Sequence, residues 1–287
     1  MRRRRDSGVV LVNVLVIIAL SAAVVHLMLS SRESAIDRVT GLSRAGDAEL
    51  IALGAEASVV AALRRDLDQA PDVDHFGEAW AAIAQEEVQL VTGRFSVEIQ
   101  DLQRKYDINR LALGGLGPVE VLARLLVELD QPPELARRIA AILRRTGPVG
   151  ALSDLEGFGI PAAAIEALSP HVAVLPSDAT VNLNTVEPPL LRAMLNNRAI
   201  AARLIARRDR EGQITREALR GAGAVRPDHS GFTSNLFDVV VLAEADGAAV
   251  RMESRIRRSD ALSAQSVSVV SRRYLPLPSE RQDAPDP

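Results

Sequence analysis

VQLVTGRFSVEIQDL, from Val88 to Leu102, holds two runs of alternating apolar and polar residues on either side of Thr92-Gly93. Val88 and Leu90 mark one run, Phe95, Val97 and Ile99 the other. A period of two around a turn dipeptide predicts a hairpin of half-buried strands. Strand signals then vanish for a long stretch. They return in LFDVVVLAEADGAAVRMESRI, residues 236–256, which reads as two strands around the hairpin dipeptide Asp246-Gly247, followed by SVSVVSRRYL. The sheet is therefore expected to be split in sequence.

The intervening segment has the period of helices. Pro118, Pro133 and Pro161 each open an apolar-periodic run: VEVLARLLVEL, ELARRIAAILRRTG and AAAIEAL. Proline suits a first helical turn, where its missing N–H costs no hydrogen bond. PPLLRAML, AIAARLIARRD and TREALRG follow as three more helices. The pattern predicts an α+β chain in which an all-helical insertion, residues 107–232, separates sheet segments 71–106 and 233–276. The proline-rich polar tail, 277–287, is predicted to be disordered.

Upstream of the sheet, Ile36, Val39, Leu42, Leu50, Leu53, Val60, Leu63 and Leu67 recur mostly at three- and four-residue steps, the stripe of an amphipathic helix. No proline interrupts the chain before Pro71. A single helix over 9–70 would be a rod on the order of 90 Å long. Its first part, Val9 to Leu29, carries no formal charge and has about the 20 residues needed to cross a bilayer. Four arginines precede it, which keeps that flank cytoplasmic and sends the bulk of the chain across the membrane. The competing reading is a cleavable secretory signal cut near Ala19-Leu20-Ser21, which would leave the apolar AAVVHLML at the new terminus.

Composition narrows the chemistry. The 287 residues are 47% apolar, carry a formal charge of -3, and contain no cysteine and a single lysine, Lys105. Disulfides, thiol catalysis and thiolate zinc sites are excluded, and no global basicity draws the chain to nucleic acid. His26, His75, His171 and His229 are far apart in sequence, and no G-x-S-x-G or H-E-x-x-H motif occurs, so no enzyme is expected. Asp101, Asp107 and Asn109 offer oxygens for calcium, but without the glycine and terminal glutamate of an EF-hand. Trp80, the sole tryptophan, is expected to anchor the long helix on the sheet.

Taken in order, Gly8 and its apolar run, AWA at 79–81, FSVEIQDLQRKYDINRL, ALSDLEGFGIPAAAIEALSPHVAVLP and VNLNTVEPPLLRAML resemble the minor pseudopilins of the general secretion pathway protein K family. In DLQRKYDINRL, Arg104 stands where the family commonly has glycine, and Asp107 where it commonly has asparagine. The resemblance implies a pseudopilin fold with a long N-terminal helix. It also implies a basic leader, residues 1–8, cut after Gly8 by a prepilin peptidase, so that Val9 becomes the amino terminus and is open to methylation. Asn13 is then the fifth residue, where most filament subunits carry a glutamate that pairs with a neighbour's terminal amine. An ionised carboxylate in lipid is costly unless paired, so its absence suits a subunit with no predecessor. The implied role is the tip and initiation complex of a periplasmic pseudopilus in type II secretion, anchored by a single pass in the inner membrane. Partners would be minor pseudopilins I and J and the major pseudopilin, with energy from a separate cytoplasmic ATPase. Some family members bind calcium.

A second resemblance competes with the first. LSDLEGFGIPAAAIEAL and VNLNTVEPPLLRAMLNNRAIAARLIARRD have the outline of helix-hairpin-helix modules of membrane-tethered DNA receptors in competence systems, whose turns present amides to phosphate. Asp154 and Glu156 flank the Gly157/Gly159 turn and repel phosphate, and Asn196-Asn197 occupies the second glycine turn. Arg198, Arg203, Arg207, Arg208 and Arg210 remain as candidate phosphate contacts. The hairpins are accordingly expected to be packing elements, with nucleic acid an unlikely partner.

Overall fold

The computed structural model describes residues 6–259 and 266–278, with side chains described outside 6–11, 29–39 and 85–86. One helix, α1 (Asp6–Gln69), runs 64 residues without a break. The apolar stretch 9–29 lies within it, but its described side chains extend only from Val12 to Met28. Among the described residues no helix is long and apolar enough to cross a membrane. The expected leader lies outside the described residues over 1–5, and the expected disordered tail does so from 279 onward.

The distal part of α1 packs on a five-stranded antiparallel sheet of order β1-β2-β7-β8-β9. Its strands are β1 (Gln85–Leu90), β2 (Gly93–Asp101), β7 (Leu236–Ala245), β8 (Ala248–Ser259) and β9 (Ser266–Leu275). Both predicted hairpins form. Asp246 and Gly247 take φ of 46° and 82°, the left-handed pair that a tight two-residue turn requires. Gly93 is demanded by packing instead, since a Cβ there would lie 2.1 Å from the carbonyl oxygen of Glu244. In β9 the register with β8 shifts between Arg255 and Ile256, leaving Val270 as an extra residue. Val267 and Val269 pack in the helix–sheet core before this bulge. Beyond it Arg272 and Tyr274 reach Glu56 and Glu49 of α1, so the bulge keeps β9 aimed at the helix despite the change of phase.

The face of α1 that meets the sheet overlaps the predicted apolar stripe in part. Ala48, Ala52, Ala55, Val59, Leu63 and Leu67 are buried, whereas Leu42 and Leu50 are 75% and 68% exposed. Leu53 and Val60 are partly buried beside the interface, and Ile36 and Val39 have no described side chains. The buried positions also recur at three- and four-residue steps but are mostly small. Alanine lets the first part of this interface come close to the sheet, and Leu42 and Leu50 point away, whereas Leu63 and Leu67 of the expected stripe are buried farther along. Trp80, fully buried, meets Phe237 edge-on at 5.2 Å. It joins the core shared by α1 and the sheet, as expected of it.

Between β2 and β7 the chain builds a second core around α2 (Gly117–Glu128), α3 (Leu135–Thr146), α4 (Ala162–Leu168), α5 (Pro188–Leu195), α6 (Arg198–Glu211) and α7 (Arg216–Gly221). Leu122, Leu125 and Leu126 of α2 and Ile139 and Leu143 of α3 are at its centre. The insertion is not purely helical. Two-residue strands β3 (Tyr106–Asp107) and β4 (Val172–Ala173) pair in parallel, as do β5 (Val181–Asn182) and β6 (Ser230–Gly231). Pairings this short carry no periodicity and are therefore silent in the sequence.

Candidate assembly site

Where the insertion meets the sheet, a cluster of polar residues from separate segments is centred on Arg258. This guanidinium is buried near the end of β8 and donates to Asp66 Oδ2 at 2.9 Å, to Asp74, and to the carbonyl of Ser234 from both Nε and Nη2. It also lies 5.0 Å from the ring centre of Phe237. Asp66 belongs to the last turns of α1 and Asp74 to the following loop. Asp74 Oδ2 accepts the backbone N–H of Ser234 at 2.7 Å.

Asp101, fully buried at the end of β2, extends the cluster into the insertion. It accepts from Gln103 N at 2.7 Å and from the hydroxyls of Thr185 and Ser234. Asn182 Nδ2 donates to Ser234 Oγ and to the carbonyl of Asp74. Gln103 donates to the carbonyl of Thr180 and accepts from Asn235 N. Nearly every polar atom here is paired, so the cluster welds α1, the sheet and the insertion together.

The weld carries more acid than base. Burial pushes Asp74 up to about 7 against the pull of Arg258 and the N–H of Ser234. Burial likewise raises Asp66, Asp101 and Glu78. Glu78 accepts from His75 N at 2.9 Å and from the Trp80 indole N–H at 3.0 Å. Asp66, Asp74 and Glu78 place ligand atoms within 4.8 Å of one another, the one such trio among the described residues. Arg258 already contacts two of the three.

The oxygens named for calcium are used otherwise. Those of Asp101 are taken by the bonds just given. Asp107 Oδ1 accepts the N–H groups of Asn109 and Leu175, and Asn109 exchanges hydrogen bonds with the backbone of Val149. Asp107 thus caps its turn, and Asn109 ties that turn to the segment after α3. The two family departures are also accommodated. Arg104 pairs with Glu187 and lies over Phe76, with no positive φ required of it.

The two helix-hairpin-helix outlines are packed, as expected of them. Asn196 adopts the left-handed turn conformation at φ 49°, and Asn197 caps α6 by accepting from Ile200 N. Arg208 donates to the carbonyls of Leu183 and Val186, Arg198 pairs with Glu128, and Arg207 pairs with Glu211. Arg203 reaches the carbonyl of Ala222. In the other turn Asp154 accepts from Gly150 and Ala151. The four histidines lie on separate elements: His26 on α1, His75 after it, His171 before β4, and His229 before β6.

The remaining distinctive surface is α1 itself. Its large apolar side chains from Val12 to Met28 are between 46% and 67% exposed. Farther along, Leu50 borders a groove of about 760 Å³ with Gly54, Leu90, Val91 and Phe95. Asn13 is exposed on this helix; Gly8 and Val9 belong to its first turns and have no described side-chain environment.

A continuous helix with an uncovered apolar face, laid on a small antiparallel sheet that carries a helical insertion, is the architecture of a pseudopilin-class filament subunit. The family model for protein K of the type II secretion system matches residues 181–239. Type II secretion system protein K of Pseudomonas aeruginosa is 29% identical over 248 residues, which span 73% of this chain and 74% of that one. The crystal structure of the GspK–GspI–GspJ complex from the enterotoxigenic Escherichia coli type II secretion system matches with a TM-score of 0.62 at 19% identity, covering 84% of this chain and 100% of that one. The chain is thus similar in sequence to protein K of type II secretion systems and shares the fold of a protein K crystallised with its partners.

Proposed function

We propose that the protein caps a periplasmic pseudopilus and starts its assembly, standing in a complex with minor pseudopilins I and J above the major subunit. The observation that carries this reading is the apolar face of α1 that intramolecular packing leaves uncovered. Leu42 and Leu50 continue it beyond the segment 12–28. A face of this size needs a lipid or protein cover. Lipid suits the stretch from 9 to 29, about the length of a single pass through the inner membrane, and sister helices suit the part beyond it. The relative with the matching fold was crystallised with proteins I and J, which supports the same partners here.

Cleavage after Gly8 by a prepilin peptidase leaves Val9 as the terminus, with Asn13 in place of the acid that recruits a subunit beneath a predecessor. The helical insertion broadens the molecule above its sheet, a shape that obstructs neighbours in a shaft and sits freely at an apex. The test is co-purification with proteins I and J from membranes. Leu42→Ser with Leu50→Ser is expected to reduce recovery of the complex at least about tenfold without unfolding the body. Recovery at the wild-type level would reject the helix-borne interface. Mass spectrometry of the membrane form is expected to find a chain starting at Val9, and a start at Met1 would reject the processing.

A further inference from the structure

Where the insertion runs back toward the sheet, α7 and the loop after it line a cleft of about 560 Å³. Its floor is apolar: Leu219 and Phe232 are buried, and Val225 stands 89% exposed at the edge. Its charged lining is Arg216, Arg220 and Arg226, with no carboxylate among the lining residues. Arg216 and Arg220 are one helical turn apart and share a face of α7. Arg226 is fixed from the loop side by a bond from Nη1 to the carbonyl of Ser230. Arg220 has only an exposed pair with Glu217, which screening weakens.

The backbone opens this cleft deliberately. Gly223 turns at φ 74°, and a Cβ at Gly221 or Gly223 would meet nothing within 4 Å. His229, a non-glycine residue at φ 54°, closes the same loop in front of β6. A second cleft of about 280 Å³ shares Arg216 and Phe232 as walls and contains Asp72 and Gln213. An apolar floor under three guanidiniums, continued by a recess whose one carboxylate is Asp72, is built for an extended ligand whose anionic groups and apolar side chain fall in the first cleft.

We propose that this paired cleft docks an acidic segment of a partner protein, with an apolar side chain of the segment seated on Leu219 and Phe232 and its carboxylates held by Arg216 and Arg220. A lipid headgroup offers the same charge but has no use for the second recess. The inference does not depend on the placement of the protein at a filament tip.

The experiment is fluorescence anisotropy on the full chain in a nonionic detergent, with a fluorescein-labelled peptide in which a Leu-Phe pair is flanked by glutamates. Saturable binding that weakens with salt is expected, together with at least a tenfold loss in Arg216→Ala plus Arg220→Ala. Both arginines are exposed, so circular dichroism should be unchanged. Val225→Asp is expected to weaken binding as well and tests the apolar contact separately. Equal binding by the arginine variant would overturn the proposal, as would equal binding of a peptide with serines for glutamates. Displacement of the peptide by soluble dihexanoyl-phosphatidylglycerol at matching concentration would reassign the cleft to lipid and overturn it too.

Discussion

Arg258→Met removes the one guanidinium in contact with both Asp66 and Asp74 while keeping most of its apolar stem. Both carboxylates are buried, and the change also takes away two hydrogen bonds to the carbonyl of Ser234. Breaking a buried pair from one side costs about 3–5 kcal/mol, because the stranded charge has neither water nor partner. Against a total stability of about 5–15 kcal/mol that is a large share. The loss should depend on pH in a definite direction. Asp74 is raised from an ordinary value of 3.8 to about 7 in the folded chain, so the native state holds more protons than the unfolded state between those limits. Its contribution is therefore complete below about pH 4 and is lost as pH rises toward 7. Without Arg258 the carboxylates are raised further, and the window of loss extends to higher pH. Urea unfolding of the detergent-solubilised chain can be followed through Trp80, the only tryptophan, which lies in the core beside Phe237. The variant should be about 3–5 kcal/mol less stable at pH 8 and recover part of that difference at pH 5. A difference below about 1 kcal/mol at pH 8, or a gap that widens on acidification, would refute the account of the weld.

Other perturbations probe separate parts of the structure. Asp101→Ala strands the Gln103 N–H and the hydroxyls of Thr185 and Ser234, so a loss on the order of 3 kcal/mol and faster limited proteolysis at the insertion boundary are expected. Ala52→Leu places a large side chain where α1 lies against the sheet and should cost about 1–3 kcal/mol by thermal denaturation, whereas Leu50→Ala should alter stability by no more than about 0.5 kcal/mol. Gly93→Ala drives a Cβ into the Glu244 carbonyl; the outer hairpin should lose hydrogen-exchange protection, with a cost of about 1–3 kcal/mol.

The split sheet was legible because its signals are local. Thr92-Gly93 and Asp246-Gly247 each sit between alternating runs, and the six helices of the insertion announce themselves by period, four of them also by a proline at or near their start. Leu63 and Leu67 of the predicted stripe are buried in the helix–sheet interface, but its alanine part is silent in the sequence because a leucine attracts attention and an alanine does not. Ala48, Ala52 and Ala55 decide the approach distance, and nothing in their spacing says that the sheet prefers them to Leu42 and Leu50. The weld was invisible for another reason. Asp66, Asp74, Asp101, Asn182, Ser234 and Arg258 are brought together only by the completed topology, and each alone reads as an ordinary polar residue. Asp101 and Asp107 stand out in the sequence as oxygen donors; in the fold they accept from turn N–H groups, and Asp101 also from two hydroxyls.

The strand β2 ends and the strand β7 begins as direct neighbours, with Asp101 opposite Phe237. Everything between them leaves and returns through a doorway about 4.8 Å wide, one strand spacing. The sheet thus requires of its passenger only that two chain ends emerge side by side. A different module with adjacent termini, grafted at this threshold with the Arg258 contacts rebuilt, would leave the strand order untouched, so the head of such a subunit is open to replacement while its stalk stays the same.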